Sequence, residues 1–205
     1  MTSKIIELNN KTAIKLLNDL STYMLASETL LKAADDFPQT DSELDSISEK
    51  YLFEHCIPAP LTEMYWGEHQ NLINLGTYGD ETILKMVNRL KHYLGLEKID
   101  GIIFYPKDSK LSWHHNSNTA GYHLLFNYSI DGQGFFRYYD VGTKSIVTVD
   151  DPIGWTAKIN YFPDHALGKD VFWHCVGTEN YRISIGFTIP FNYVNRIMEL
   201  LALDK

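Results

Sequence analysis

The second half of the chain most restricts its fold. From Ile102 onward, short segments of strand character follow one another, each closed by a turn signal: Ile102–Tyr105, Tyr122–Ile130, Phe135–Tyr139, Ser145–Val149, Trp155–Phe162, Val171–Val176 and Tyr181–Ile189. Asp131-Gly132-Gln133-Gly134, Asp140–Thr143 and Asp150-Asp151-Pro152 punctuate them. Many short strands with turns between them predict an antiparallel sandwich or barrel.

The first half reads differently. From Lys11 to about Ala34, Ile14, Leu17, Leu20, Met24, Leu30 and Leu31 fall near helical spacing, and Asp41 with Ser42 can cap a short helix toward Leu52. A clearer helix runs from Glu81 to Leu94, with Asp80 as N-cap, Gly95 just past its end, and Ile83, Val87, Leu90 and Leu94 as the buried stripe. Val194, Ile197 and Leu201 suggest a closing helix over Phe191–Leu201. The expected organisation is a helical support region over 1–95 and a strand-built core over 96–205, together one compact domain.

Composition narrows the class of function. With 44% hydrophobic and 21% charged residues the chain should fold. A net charge of −8 leaves no basic footprint for duplex nucleic acid. No apolar run approaches the roughly 18–20 residues of a membrane span, and the polar N-terminus carries no signal-peptide core. The two distant cysteines, Cys56 and Cys175, are no disulfide framework and predict a reducing, cytoplasmic setting.

The chemistry-bearing candidates are histidines and one arginine. In Trp113-His114-His115-Asn116-Ser117, strand alternation puts His114 and Asn116 on one side, and His115 and Ser117 on the other. His174 follows on a later strand. Arg182 comes next, sharing a face with Ser184 while Ile183 and Ile185 take the opposite face. An inward arginine with a serine beside it suits a carboxylate, held by a two-pronged pair.

Together, His114-x-Asn116, His174 and Arg182-x-Ser184, with Tyr105-Pro106 upstream, resemble the iron(II)- and 2-oxoglutarate-dependent oxygenases, in particular their prolyl-hydroxylase-like branch. The resemblance covers about Ile102 to Phe187. It implies an α+β fold with a double-stranded β-helix (jelly-roll) core, supported by the N-terminal helices and a C-terminal helix. It further implies iron(II) held by His114, His174 and Asn116, and 2-oxoglutarate as co-substrate, bound through Arg182, Ser184 and Tyr105. The family hydroxylates a C–H bond while decarboxylating 2-oxoglutarate; the expected substrate is a protein side chain or a small molecule.

The chain departs from that pattern at one ligand: Asn116 stands where the family has a carboxylate. An amide oxygen binds iron(II) more weakly and does not offset its charge. Four readings stay open: the amide is the third ligand, a carboxylate such as Asp140 replaces it, the position is open, or the register shifts to His115-x-Ser117. The competing functional class is a non-catalytic cupin-like binding protein, or a virion-associated jelly-roll protein, that has lost part of the metal site. Tyr122, Phe136, Tyr138 and Trp155 are candidates to wall the pocket, or simply core.

Overall fold

The computed structural model describes residues 3–36, 45–58, 72–116, 119–164 and 171–203. The Asp41/Ser42 cap and Ser117 lie outside them. Strand β1 (Lys4–Ile6) precedes helices α1 (Lys11–Ala26) and α2 (Glu28–Asp35). The expected single helix is broken at Ser27, whose extended backbone ends α1 while its hydroxyl accepts from Leu30 N at 3.3 Å to cap α2. Next come α3 (Glu49–Tyr51), running into a π-turn over Leu52–Cys56, then β2 (Ile73–Asn74) and α4 (Leu75–Tyr78).

Helix α5 (Glu81–Leu94) matches its sequence signals. The Asp80 carboxylate accepts from Thr82 N and Ile83 N at 2.9 and 3.0 Å. Gly95 adopts φ 69°, a left-handed conformation that glycine reaches without a Cβ clash, and its N–H and that of Leu96 close the last turn.

Eight strands follow: β3 (Lys98–Tyr105), β4 (Ser109–His114), β5 (Gly121–Ser129), β6 (Gly134–Asp140), β7 (Ser145–Asp151), β8 (Gly154–Phe162), β9 (His174–Thr178) and β10 (Arg182–Ile189). Helix α6 (Val194–Ala202) closes the chain after a single 3-10 turn at Phe191–Tyr193. The strands form two antiparallel sheets, ordered β1-β8-β5-β10-β3-β2 and β4-β9-β6-β7. The chain passes from one sheet to the other at each step from β3 to β6 and again from β7 to β10. This alternation makes the fold α+β with a jelly-roll core. The N-terminal region adds more than helices, because β1 and β2 form both edges of the larger sheet.

Alternation along each strand sorts the side chains into layers. The outer face of the larger sheet, with Leu124, Phe126, Ile183, Ile185 and Phe187, packs on α1, α2, α5 and α6. The outer face of the smaller sheet, with Trp113, Trp173 and Cys175, is covered by Tyr51, Leu52 and Cys56. Between the sheets, Tyr105, Leu111, Phe136, Tyr138, Phe162, Phe172 and Val176 leave space unfilled. Tyr122 and Trp155 face outward and pack against the helical layer, whereas Phe136 walls the inner space. Among the described residues no helix is long and apolar enough to cross a membrane.

Candidate functional site

A cavity of about 930 Å³ opens between the two sheets. Its lining includes Tyr105, His114, Asn116, His123, Asn127, His174 and Ser184, on walls of Ile103, Leu111, Leu125, Phe136, Phe162 and Val176.

His114 and His174 are directly paired across β4 and β9. Simple alternation from inward-facing Leu111 would turn His114 outward. Instead β4 carries an irregularity: Leu111 pairs with Val176 and His114 with His174, so β4 holds one residue more than β9 in between. Such a bulge reverses the parity of everything after it. It sends Trp113 to the outer cluster and His114 into the cavity. The two rings lie 4.0 Å apart between centroids.

Each ring is oriented by its own backbone. His114 Nδ1 lies 2.8 Å from Ser112 O, and His174 Nδ1 lies 2.9 Å from Phe172 O. A carbonyl only accepts, so Nδ1 carries the proton and Nε2 keeps its lone pair. Burial pushes the His114 pKa down to about 4, partly countered by the Ser112 carbonyl. Burial, then the neighbouring His114, holds His174 well below the ordinary histidine range. Both rings are therefore neutral near pH 7, the form that ligates metals, and a backbone carbonyl on the other nitrogen is the usual support of a metal-binding histidine.

Asn116 lies just beyond the end of β4, yet its Nδ2 stands 3.4 Å from His174 Nε2. Two donors bound side by side at about 2.1 Å from one ion lie about 3 Å apart, so the spacing matches shared coordination once the amide turns its oxygen inward. His114, His174 and Asn116 thus offer two imidazole nitrogens and an amide oxygen, a donor set suited to a divalent transition metal. Among the described residues no three His, Cys, Asp or Glu side chains converge in this way. Asp140, the alternative third ligand, instead accepts from Gly142 N at 2.9 Å in the β6–β7 turn, away from the cavity lining. His115 points to the other face, edge-on to Trp173 at 4.9 Å.

Arg182 is fully buried, and its fork is largely engaged. Nε donates to Asp151 Oδ2 at 2.7 Å and Nη2 to Asn127 Oδ1 at 2.9 Å. Lys158, also buried, donates to Asp151 Oδ1 at 2.6 Å. Ser184 shares the inner face as expected but donates to Asn127 Oδ1 at 3.1 Å. The Tyr105 ring lies 5.1 Å from the guanidinium, and burial raises its phenol pKa against the pull of Arg182. Burial alone would raise the Asp151 carboxyl, but Arg182 and Lys158 more than offset it and hold it low. Burial lowers Lys158, and the neighbouring Arg182 adds to it against the attraction of Asp151.

Two buried cations thus share one carboxylate, a surplus of +1. Arg182 Nη1 and Asn127 Nδ2 have no hydrogen-bond partner among the described residues. Arg182 does not itself line the cavity, but Tyr105, Asn127 and Ser184 around it do. No sequence signal marks Lys158 or Asp151 as a pair: Lys158 lies in the Trp155–Phe162 strand and Asp151 in the turn-like Asp150-Asp151-Pro152.

No protein-family model and no curated protein matches this chain. Among solved structures, a Pseudomonas putida prolyl-4-hydroxylase is similar at 14% identity over 92% of this chain and 92% of that one, with a TM-score of 0.42. The Drosophila melanogaster CENP-C cupin domain is similar at 12% identity over 84% of this chain and 97% of that one, with a TM-score of 0.36.

Proposed function

We propose that this chain is a metal-dependent jelly-roll oxygenase that uses iron(II) and 2-oxoglutarate to hydroxylate a protein side chain or small molecule. One observation carries the reading. Two buried neutral imidazoles, 4.0 Å apart between ring centroids, line one large cavity with Nε2 as the unprotonated nitrogen of each, and Asn116 stands beside them. His114, His174 and Asn116 would hold the metal, which supplies the capacity to bind and activate dioxygen. Tyr105 and Ser184, which line the cavity in front of Arg182, would meet the distal carboxylate of 2-oxoglutarate, with the buried Arg182 charge behind them. The apolar walls would exclude water from the reacting centre.

A second reading draws on one detail. The Asn116 amide already donates to His174 Nε2, so the pair is partly satisfied with no ion. A cupin-like binding protein that keeps the pocket and has lost the chemistry would look the same there.

Anaerobic titration with iron(II) and 2-oxoglutarate separates the two. The oxygenase should develop the weak visible charge-transfer band of the metal chelate and, on admission of air, form succinate. His174→Ala should abolish both. Wild-type protein that gives neither band nor succinate would leave the binding-protein reading.

A further inference from the structure

The cavity holds a polar chain that the proposed chemistry does not use. It begins at Asp100, an irregular position in β3. Ile99 pairs with Phe187 and Gly101 with Gly186, leaving Asp100 without a partner on β10. This bulge frees its carboxylate to turn toward His123. Asp100 Oδ2 lies 2.7 Å from His123 Nδ1, while Oδ1 accepts from Thr188 Oγ1 at 2.6 Å and lies 3.4 Å from Lys98 Nζ. His123 Nε2 lies 2.7 Å from the carbonyl of Thr119. The Thr119 carbonyl can only accept, so Nε2 donates to it, and the Asp100 carboxylate holds the ring from the other side.

The chain then turns to the candidate metal pole. Thr119 N and Thr119 Oγ1 both donate to the carbonyl of Asn116, at 2.9 and 3.1 Å. The Asn116 amide stands against His174. His123 also lies against Phe162 at 4.5 Å between ring centroids, and Phe162 stacks on His174 at 5.3 Å and 10°. His123 is almost wholly buried among these partners. No strand ladder fixes Asn116, because β4 ends at His114.

We infer that His123, oriented by Asp100, is the positioning residue for Asn116: it clamps the Thr119 carbonyl and so sets where the third donor stands relative to His114 and His174. The inference rests on the proposed metal site. An outer residue that orients a ligand typically changes metal affinity by about 10–100-fold when it is removed.

Cobalt(II) serves as the probe, because its visible bands report the ligand set as well as occupancy. His123→Leu should bind cobalt(II) about tenfold more weakly than wild type, with bands shifted toward those of Asn116→Ala. His123→Leu/Asn116→Ala should bind no more weakly than Asn116→Ala alone, since the clamp acts only through that side chain. A His123→Leu protein with wild-type affinity and bands, or losses that add in the double variant, would overturn the inference. If His123→Leu does not fold, Asp100→Asn carries the test. It keeps an acceptor for His123 but removes the charge, and should shift affinity and bands the same way by a smaller factor. Wild-type values there overturn the inference. Wild-type protein that takes up no cobalt(II) through His114 and His174 overturns the proposed function and this inference together, whereas wild-type uptake with the His123→Leu and Asp100→Asn proteins unaffected overturns only the clamp.

Discussion

Asp151→Asn should be among the most destabilising single-atom changes this chain can suffer. The Asp151 carboxylate gives one oxygen to Lys158 Nζ at 2.6 Å and the other to Arg182 Nε at 2.7 Å, with all three side chains at 1% exposure or less. Asparagine keeps one acceptor and replaces the other with an NH₂ group. One cation then faces a donor, and two buried positive charges lose the one counter-charge they pair with among the described residues. Breaking a buried pair this way costs about 3–5 kcal/mol. There is an escape. Burial already lowers the Lys158 pKa, and without Asp151 it falls further, so Lys158 can shed its proton. A base depressed in the folded state binds fewer protons there than in the unfolded chain, so the variant should regain stability as pH rises toward the free lysine value. Urea denaturation of both proteins at pH 7 and pH 9 measures this. The expected result is a deficit of about 3–5 kcal/mol at pH 7 that narrows at pH 9. A deficit below about 1 kcal/mol, the size of an exposed pair, would refute the claim that these charges are desolvated and mutually dependent.

The metal-free protein should also lose stability as pH falls through about 6.5. His114 and His174 stay neutral in the fold while the unfolded chain takes up protons. Each contributes up to about 1.4 kcal/mol per pH unit until its folded pKa is reached, about 4 for His114. Denaturation midpoints between pH 7.5 and 5 should show this slope, and His174→Gln should roughly halve it. Asn10→Ala should cost about 2 kcal/mol, because its side chain caps α1 through Ala13 N while accepting from Tyr93 Oη and donating to Leu200 O; thermal melts of the two proteins would report it. Asn116→Asp should tighten cobalt(II) or iron(II) by isothermal titration, since a carboxylate adds charge and hard-oxygen donation. Unchanged affinity would place Asn116 outside the coordination sphere.

The parts of the fold that repeat locally were legible in the sequence. The Asp80 cap, the Ile83–Leu94 stripe and the Gly95 stop are local signals, and α5 follows them residue for residue. The strand succession from Ile102 predicted the antiparallel core for the same reason. Features set by partners distant in sequence were not legible. Strands β1 and β2 are three and two residues long, too short to show alternation, and exist because β8 and β3 offer them edges. The bulge in β4 has no composition signal, so strand parity placed His114 and Asn116 together on a premise that ends at His114. They meet near His174 because a bulge and a clamped loop bring them there. The engagement of Arg182 by Asp151 was equally invisible, since it depends on the pairing of separate strands across the barrel.

The distribution of polar groups bears on which functional readings are physically economical. Two of the three apolar clusters, the largest among them, lie outside the sandwich, between the larger sheet and the helices and between the smaller sheet and Tyr51, Leu52 and Cys56. The chain can therefore be stable without packing its interior solid. What it places between the sheets includes His114, His123, His174, Asn127, Lys158, Asn160 and Arg182, all essentially buried. Of these, Asn127 Nδ2, both polar atoms of the Asn160 amide and Arg182 Nη1 lack partners among the described residues. Each unsatisfied buried donor or acceptor costs about 1–3 kcal/mol, and apolar residues of similar volume there would be neutral or stabilising. A protein whose jelly roll served only as an assembly surface would carry that burden for nothing. A protein whose cavity takes up a polar ligand recovers it, because oxygen atoms of the ligand complete the hydrogen bonds. The interior thus argues for a ligand-holding role of either kind, catalytic or binding, over a purely structural one.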